Sequence, residues 1–297
     1  MTGVRGQPAS YARRGSPVEC GERRAKPLDK DPARGLYPPL GRALSDFSMI
    51  PAEEPVLLAI SGGKDSLLMA YLLSEMRNRS PVKFSLAAIT VDPGEPWGFT
   101  RDEMDAVGGF LSGLGIPHHV VRTGIAMILE QHPTGKTDCS LCANLRRGAL
   151  YKAAREMGFR KVALAHHLDD AIETLFLNMF YQSSLRCFEP RTYLSRRQVT
   201  VIRPMIYIPE RDIAKAAQKL GLPVVTTRCP VAGATLRQSM KELVTGMARE
   251  IPGFRNHMRS VLGRVWRMQM EPSAHSSEEA AGSRKAAGPE ADGTLPR

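Results

Sequence analysis

The chain has 297 residues, 42% of them hydrophobic, and carries 41 Lys and Arg against 30 Asp and Glu, for a net charge of +11. No apolar run approaches the ~18 residues of a membrane span, and no apolar segment of signal type follows the first methionine, so neither a membrane protein nor a secreted one is expected. Five cysteines, an odd number in so long a chain, do not make a disulfide framework, and a cytoplasmic enzyme is the simplest class. The charge is uneven. Residues 1–45 hold nine basic side chains against four acidic, residues 269–297 three against five, and the body between keeps the remaining +8. A basic body suits a polyanionic partner, but a solvated basic surface explains the charge equally well.

Residues 1–44 are rich in Arg, Pro and Gly without periodicity and read as a basic, mostly disordered arm. Residues 269–297, rich in Ser, Ala, Gly and Glu, read as a disordered tail. In the body, 45–268, strands and helices alternate. Strand 56–60 leads to helix 66–78, strand 84–91 to a helix near 101–114, and strand 118–122 to a helix over 143–157. Strand 161–166 leads to helix 169–181, and strand 199–202 to helix 210–220. A short extended piece at 223–226 and helices over 235–249 and 254–267 finish the body. This alternation predicts an α/β fold: a doubly wound, mostly parallel sheet with helices on both faces. Ligands bind such sheets at the carboxyl ends of the strands.

Three segments fall there. The first is "VLLAISGGKDSLLMA", 56–70, where "SGGKDS" turns a buried strand into a helix. The free N–H groups of a helix N-terminus suit an anion, and Gly62 and Gly63 let backbone approach it closely. An ordinary turn capped by Ser61 needs neither Lys64, Asp65 nor Ser66. The spacing is neither that of a Walker A loop nor that of a dinucleotide fingerprint. Asp92 ends the second strand. In the second segment, "ALAHHLDDAIETLFLNMFY", His166 and His167 end a strand and Asp169 and Asp170 open a helix. Either aspartate serves as a helix cap or as a Mg²⁺ ligand, since Mg²⁺ takes one or two carboxylates plus substrate phosphates. In the third, "KTDCSLCANLRRGALYKAA", Cys139 and Cys142 form a C-x-x-C before a helix. A redox pair, a zinc site completed by Cys187 and Cys229, an iron–sulfur cluster with three thiolates and a pair of unligated thiols all remain open on spacing alone.

"SGGKDS" resembles the pyrophosphate (PP) loop of ATP-pyrophosphatase enzymes, which cut ATP between its α- and β-phosphates. Taken in order with "CSLCANLRRGALYKAA", "ALAHHLDDAIETLFLNMFY" and "VIRPMIYIPERDI", it resembles the tRNA 2-thiocytidine synthetases over roughly 45–263. The resemblance implies an ATP-dependent tRNA sulfurtransferase that replaces the C2 oxygen of a cytidine at position 32 of the anticodon loop with sulfur. It implies ATP, Mg²⁺ and a [4Fe–4S] cluster held by Cys139, Cys142 and Cys229. It assigns Ser61, Gly62, Gly63, Lys64, Asp65, Ser66, Asp92 and His166 to nucleotide binding. Lys64 and Asp65 are the catalytic pair, with Asp169 or Asp170 on Mg²⁺. The partners it implies are tRNA and a sulfur donor such as a cysteine desulfurase, and it leaves a homodimer open. The chain departs from the family pattern in lacking a second cysteine near 229 and in adding Cys187 within "QSSLRCFEP". Cys187 is therefore the competitor for the third ligand position, and Cys20 is expected to be a free thiol. Arg146, Arg147, Arg186, Arg191, Arg196, Arg197, Arg255, Arg259, Arg264 and Arg267 are candidate phosphate contacts. The alternatives are a sulfurtransferase acting on another tRNA base or on a small molecule, and a nucleotide-binding redox sensor.

Overall fold

Short runs such as "VLLA" and "LAAITV" lack polar alternation, so they must be covered on both faces, which calls for helices above and below a parallel sheet. The computed structural model describes residues 28–131, 139–226, 228–229 and 236–270, and it has this architecture. β1 (Val56–Ala59), β2 (Leu86–Asp92), β3 (His118–Arg122), β4 (Lys161–Ala163), β5 (Arg191–Leu194) and β6 (Val199–Ile202) form one sheet in the order β3-β2-β1-β4-β6-β5. Every neighbouring pair is parallel except β5 with β6.

Alternation along the strands divides the core. Val56, Leu58, Ala88, Ala163 and Ile202 face one side, with α1 (Tyr37–Asp46), α2 (Lys64–Arg79), α3 (Arg101–Gly113) and α6 (Leu168–Gln182) packed there. The same core takes in α7 (Glu210–Leu220), α8 (Leu236–Glu250) and α9 (Phe254–Met270), through Ile213, Val244 and Trp266. Leu57, Ile89, Val162 and Val201 face the other side, against α4 (Ile125–Glu130) and α5 (Cys139–Glu156). Among the described residues no helix is long and apolar enough to cross a membrane.

Four local expectations differ from the structure. Residues from 28 onward, assigned to the arm, belong to the folded body: Ala33, Leu36, Tyr37, Leu40 and Ala43 recur at helical spacing and are buried. Buried Asp31 anchors them, its carboxylate accepting hydrogen bonds from the Tyr37 and Tyr71 hydroxyls and from the Ala33 N–H. The strand expected over 161–166 stops at Ala163, and its last three residues form a loop. The piece at 223–226 joins no strand; instead the Val225 N–H donates to Gly62 O at 2.9 Å. β5, an edge strand with alternate residues exposed, lacks the apolar run that would have announced it. Residues 1–27 of the arm, Cys20 among them, and the tail from 271 lie outside the described residues.

Candidate active site

The chain leaves β1 for α2 and leaves the adjacent β4 for α6, on the same face of the sheet. Two helix N-termini therefore stand side by side at the carboxyl edge, where their dipoles favour anions. At the first, Gly62 has a φ of +77°, and a Cβ on it would lie 2.9 Å from the Phe99 ring and 3.1 Å from Val225. Only glycine fits the conformation and the space together. Gly63 is the N-cap of α2 and has no side chain to cap it, which leaves the first helical N–H groups for an external acceptor. Ser61 and Ser66 brace the turn from inside: the Ser66 hydroxyl lies 3.1 Å from the Ser61 N–H and 2.9 Å from Gly63 O.

Lys64 and Asp65 line a pocket of about 260 Å³ with His167, Asp170, Glu173, Glu210, Arg237, Gln238 and Lys241. Lys64 Nζ is 3.0 Å from Asp65 Oδ1 and 3.0 Å from Glu210 Oε1. Burial opposes the lysine's charge, but the Asp65 charge and the hydrogen bonds to Glu210 and Asp65 outweigh it, so its pKa is raised. Asp65 Oδ1 is buried; the Lys64 ammonium pairs with it in charge but donates its hydrogen bond to Oδ2, so Oδ1 itself accepts none. A buried carboxylate oxygen in that condition suits a metal cation.

The aspartate pair divides by role. Asp169 is buried and fully engaged: Oδ2 accepts the Glu210 N–H at 2.8 Å and Oδ1 accepts Arg255 Nε at 2.7 Å. Asp170 faces the pocket. Its Oδ2 accepts the His167 N–H in a capping box, and its Oδ1 meets Arg237 at 2.8 Å. Burial raises its pKa, but the neighbouring His167 and Arg237 outweigh burial and keep it below the usual carboxylate range. Glu173 is the opposite case. Burial and the Asp170 charge push it up to about 7.

His166 lies behind the pocket lining. Its ring packs 4.9 Å from Phe188 and its Nδ1 accepts from Arg203 at 3.3 Å; burial first, then nearby cationic charge, drops its pKa to about 4 despite Asp170. Asp92 lies in a second cavity, of about 620 Å³, with Gly94, Gly98, Phe99, Thr100 and Arg122. Its Oδ1 accepts the N–H groups of Gly94 and Phe99 and so shapes the turn after β2. The 61–66 turn borders both spaces, since Phe99 touches Gly62 and lines the larger one.

Cysteines separate by environment. Cys187 is 5% exposed, its thiol donates to Ala171 O, and burial pushes it up to about 12. It is a core residue, with its thiol turned to the backbone of α6. Cys142 and Cys229 are half-buried. Cys142 sits in the first turn of α5, which leads from the carboxyl edge back to β4. Arg228, beside Cys229, donates to Gly98 O at 2.8 Å, which ties that segment to the same edge. The side chain of Cys139, which opens α5, lies outside the described residues. Among the described residues no group of three His, Cys, Asp or Glu is arranged to hold a metal ion.

Residues 38–228 match the model of a family described as the PP-loop domain. A tRNA-cytidine(32) 2-sulfurtransferase of Syntrophotalea carbinolica is 41% identical over 76% of this chain and 86% of its own length. One from Geobacter sulfurreducens is 40% identical over 76% and 88%. The chain belongs to the tRNA-cytidine(32) 2-sulfurtransferase family. Its fold is also that of a solved U34-tRNA thiolase from Methanococcus maripaludis determined with its [4Fe–4S] cluster, with a TM-score of 0.64, 24% identity, and 79% of this chain and 78% of that one covered.

Several members of the site in this PP-loop sulfurtransferase escaped sequence reasoning. Glu210, Glu173, Arg237 and Lys241 reach the loop from α6, α7 and α8. Arg237 and Lys241, four apart on one helix, were a local signal, but nothing in the sequence says which helix faces the loop. The structure distinguishes three of the candidate arginines. Arg255 is held by Asp169. Arg196 and Arg197 are exposed on the turn that enters β6 at its amino end, the edge of the sheet opposite the pocket.

Proposed function

We propose that this chain replaces the C2 oxygen of the cytidine at tRNA position 32 with sulfur, at the expense of ATP. The ATP phosphates lie on the 61–66 turn and in the pocket of Lys64, Asp65 and Asp170, with the nucleoside toward the larger cavity beside Asp92. Lys64 draws charge from the departing pyrophosphate. Asp65 and Asp170 would hold a Mg²⁺, which would supply charge to neutralise the phosphates. The C2 oxygen attacks the α-phosphorus, the α–β bridging bond breaks, and pyrophosphate leaves. Sulfur then forms its bond to C2, and AMP departs carrying the original oxygen.

Cys139, Cys142 and Cys229 would hold a [4Fe–4S] cluster with three thiolates. When bound, such a cluster supplies an iron that no cysteine ligates, to which sulfur can be delivered from a donor such as a cysteine desulfurase. The chain's own contribution is placement: Cys142 and Cys229 are half-buried at the edge where the 61–66 turn lies, and Cys139 and Cys142 fall in the N-terminal turn of α5, where negative charge is favoured. The base leaves its stack to reach this edge.

The observation that carries the reading is the pocket in which the lysine and the aspartate of "SGGKDS" meet Asp170 at paired helix N-termini, in a chain of this family. Mass analysis of tRNA nucleosides from a strain lacking the protein tests it. Loss of 2-thiocytidine, restored by the wild-type chain and not by Lys64→Ala, is expected. Unchanged 2-thiocytidine, or loss of a different thiolated nucleoside, would overturn it.

A further inference from the structure

A single oxygen, Glu210 Oε1, accepts from two ammonium groups: Lys64 Nζ of the loop at 3.0 Å and Lys241 Nζ of α8 at 2.7 Å. The three groups come from three helices and are each 20–42% exposed within the pocket. Glu210 is firmly placed, because its N–H is held by Asp169 Oδ2 at 2.8 Å and it opens α7. Burial opposes its charge, but hydrogen bonds from Lys241 and Lys64 outweigh burial and lower its pKa to about 2. It is thus anionic throughout the working range. On the other wall, Arg237 spans Asp170 at 2.8 Å and Glu173 at 3.5 Å.

A carboxylate oxygen gathering two ammonium groups offers them what a phosphate oxygen offers. Any phosphate that engages Lys64 must do so in competition with Glu210, and the group that then faces Lys241 is the same phosphate. We infer that Glu210 is a built-in rival of pyrophosphate, and that Lys241 is a second cation for the leaving group. Glu210 holds Lys64 and Lys241 within reach of the phosphates, yields them as the pyrophosphate forms, and takes them back as it departs. This makes Glu210 a positioning residue that limits how tightly the product is held. The inference rests on the reading of the 61–66 turn as the phosphate site.

Calorimetry with sodium pyrophosphate on the anaerobically purified 297-residue chain tests it. Glu210→Gln is expected to tighten pyrophosphate binding about tenfold, since two partly exposed ion pairs no longer compete. Steady-state turnover with ATP and tRNA should show a lowered KM for ATP together with a lowered kcat, because release slows. A merely structural lesion weakens binding and raises KM. Lys241→Met, which does not depend on the folding of the Glu210 variant, is expected to weaken pyrophosphate binding about tenfold. Unchanged or weaker binding in Glu210→Gln, or unchanged binding in Lys241→Met, overturns the inference. Lys64→Met separates the two levels: if it weakens pyrophosphate binding while the other variants behave otherwise than stated, the phosphate site stands and the rivalry falls. If Lys64→Met also leaves binding unchanged, the phosphate site itself is wrong.

Discussion

Asp169 and Asp170 are adjacent in sequence and chemically identical, yet the structure gives them different work, and that difference is measurable. Asp169→Asn removes the charge that faces Arg255 across 2.7 Å, with the Asp169 side chain 4% exposed and Arg255 20%. The asparagine oxygen can still accept the Glu210 N–H, so the loss is confined to the ion pair and to the buried guanidinium left behind. Breaking a buried pair from one side costs about 3–5 kcal/mol, and the partial exposure of Arg255 lowers this to about 2–3 kcal/mol. In a domain of this size that is a fall in Tm of about 5–10 °C. Asp170→Asn loses a pair with an arginine that is 50% exposed and keeps the backbone cap, so it costs about 1 kcal/mol or less. Denaturant or thermal unfolding, run beside pyrophosphate release at a temperature where both variants are folded, separates the two. Asp169→Asn is expected to be unstable and active, Asp170→Asn stable and inactive. Equal destabilisation, or a stable Asp169→Asn, refutes the assignment of Asp169 to the frame and Asp170 to the pocket.

Anaerobically purified wild type should carry iron that is lost in Cys139→Ala, Cys142→Ala and Cys229→Ala. Cys187→Ala should keep the iron while losing about 1–2 kcal/mol of stability from the small void it opens, as iron analysis and unfolding will show. Glu173, pushed up to about 7 from 4.5, holds its proton in the native state at pH values where an unfolded chain has released it. Its contribution to stability is therefore present below about 4.5 and lost as pH rises through about 7. Glu173→Gln should flatten that decline, and an unchanged pH–stability curve would count against a neutral buried acid. Removing charge at Arg196 and Arg197, on the far edge of the sheet, should leave kcat/KM for an isolated anticodon stem-loop unchanged; a large fall would place the RNA across that edge.

Strands β1, β2, β3 and β6 lie within two residues of their expected ends; in β1, β2 and β6 burial writes itself into near-continuous apolar positions, while β3, a partly exposed edge strand, was marked by its short β-branched pair between a helix and a turn. β5 was invisible because an edge strand of four residues with alternating exposure carries too short a pattern. α1 was hidden by composition: its apolar spacing was present, but two prolines, arginines and glycines around it suggested a disordered arm. The part of the site borne on one turn, from Ser61 to Ser66, could be read because its members are neighbours. Glu210 and Lys241 could not, since their meeting at one oxygen depends on how α7 and α8 pack. The same holds for the two aspartates: only the arrival of Arg255 from α9 decides which of them is spent on the frame.

The ladder between β1 and β4 pairs Leu57 with Val162 and Leu58 with Ala163. This seam joins the strand that ends in the lysine loop to the strand that ends in the aspartate pair. Ala163 is fully buried beneath α2 and α6, with Leu58 beside it. The gauge between Lys64 and Asp170 is therefore set from below, by side chains that carry no functional group. A larger residue at 163 has no room and must pry the two helix mouths apart, at about 1–3 kcal/mol of strain. Tolerance to substitution should thus be as narrow in this inert hinge as at the charged residues it spaces, and the methyl group of one alanine acts as the shim of the whole catalytic edge.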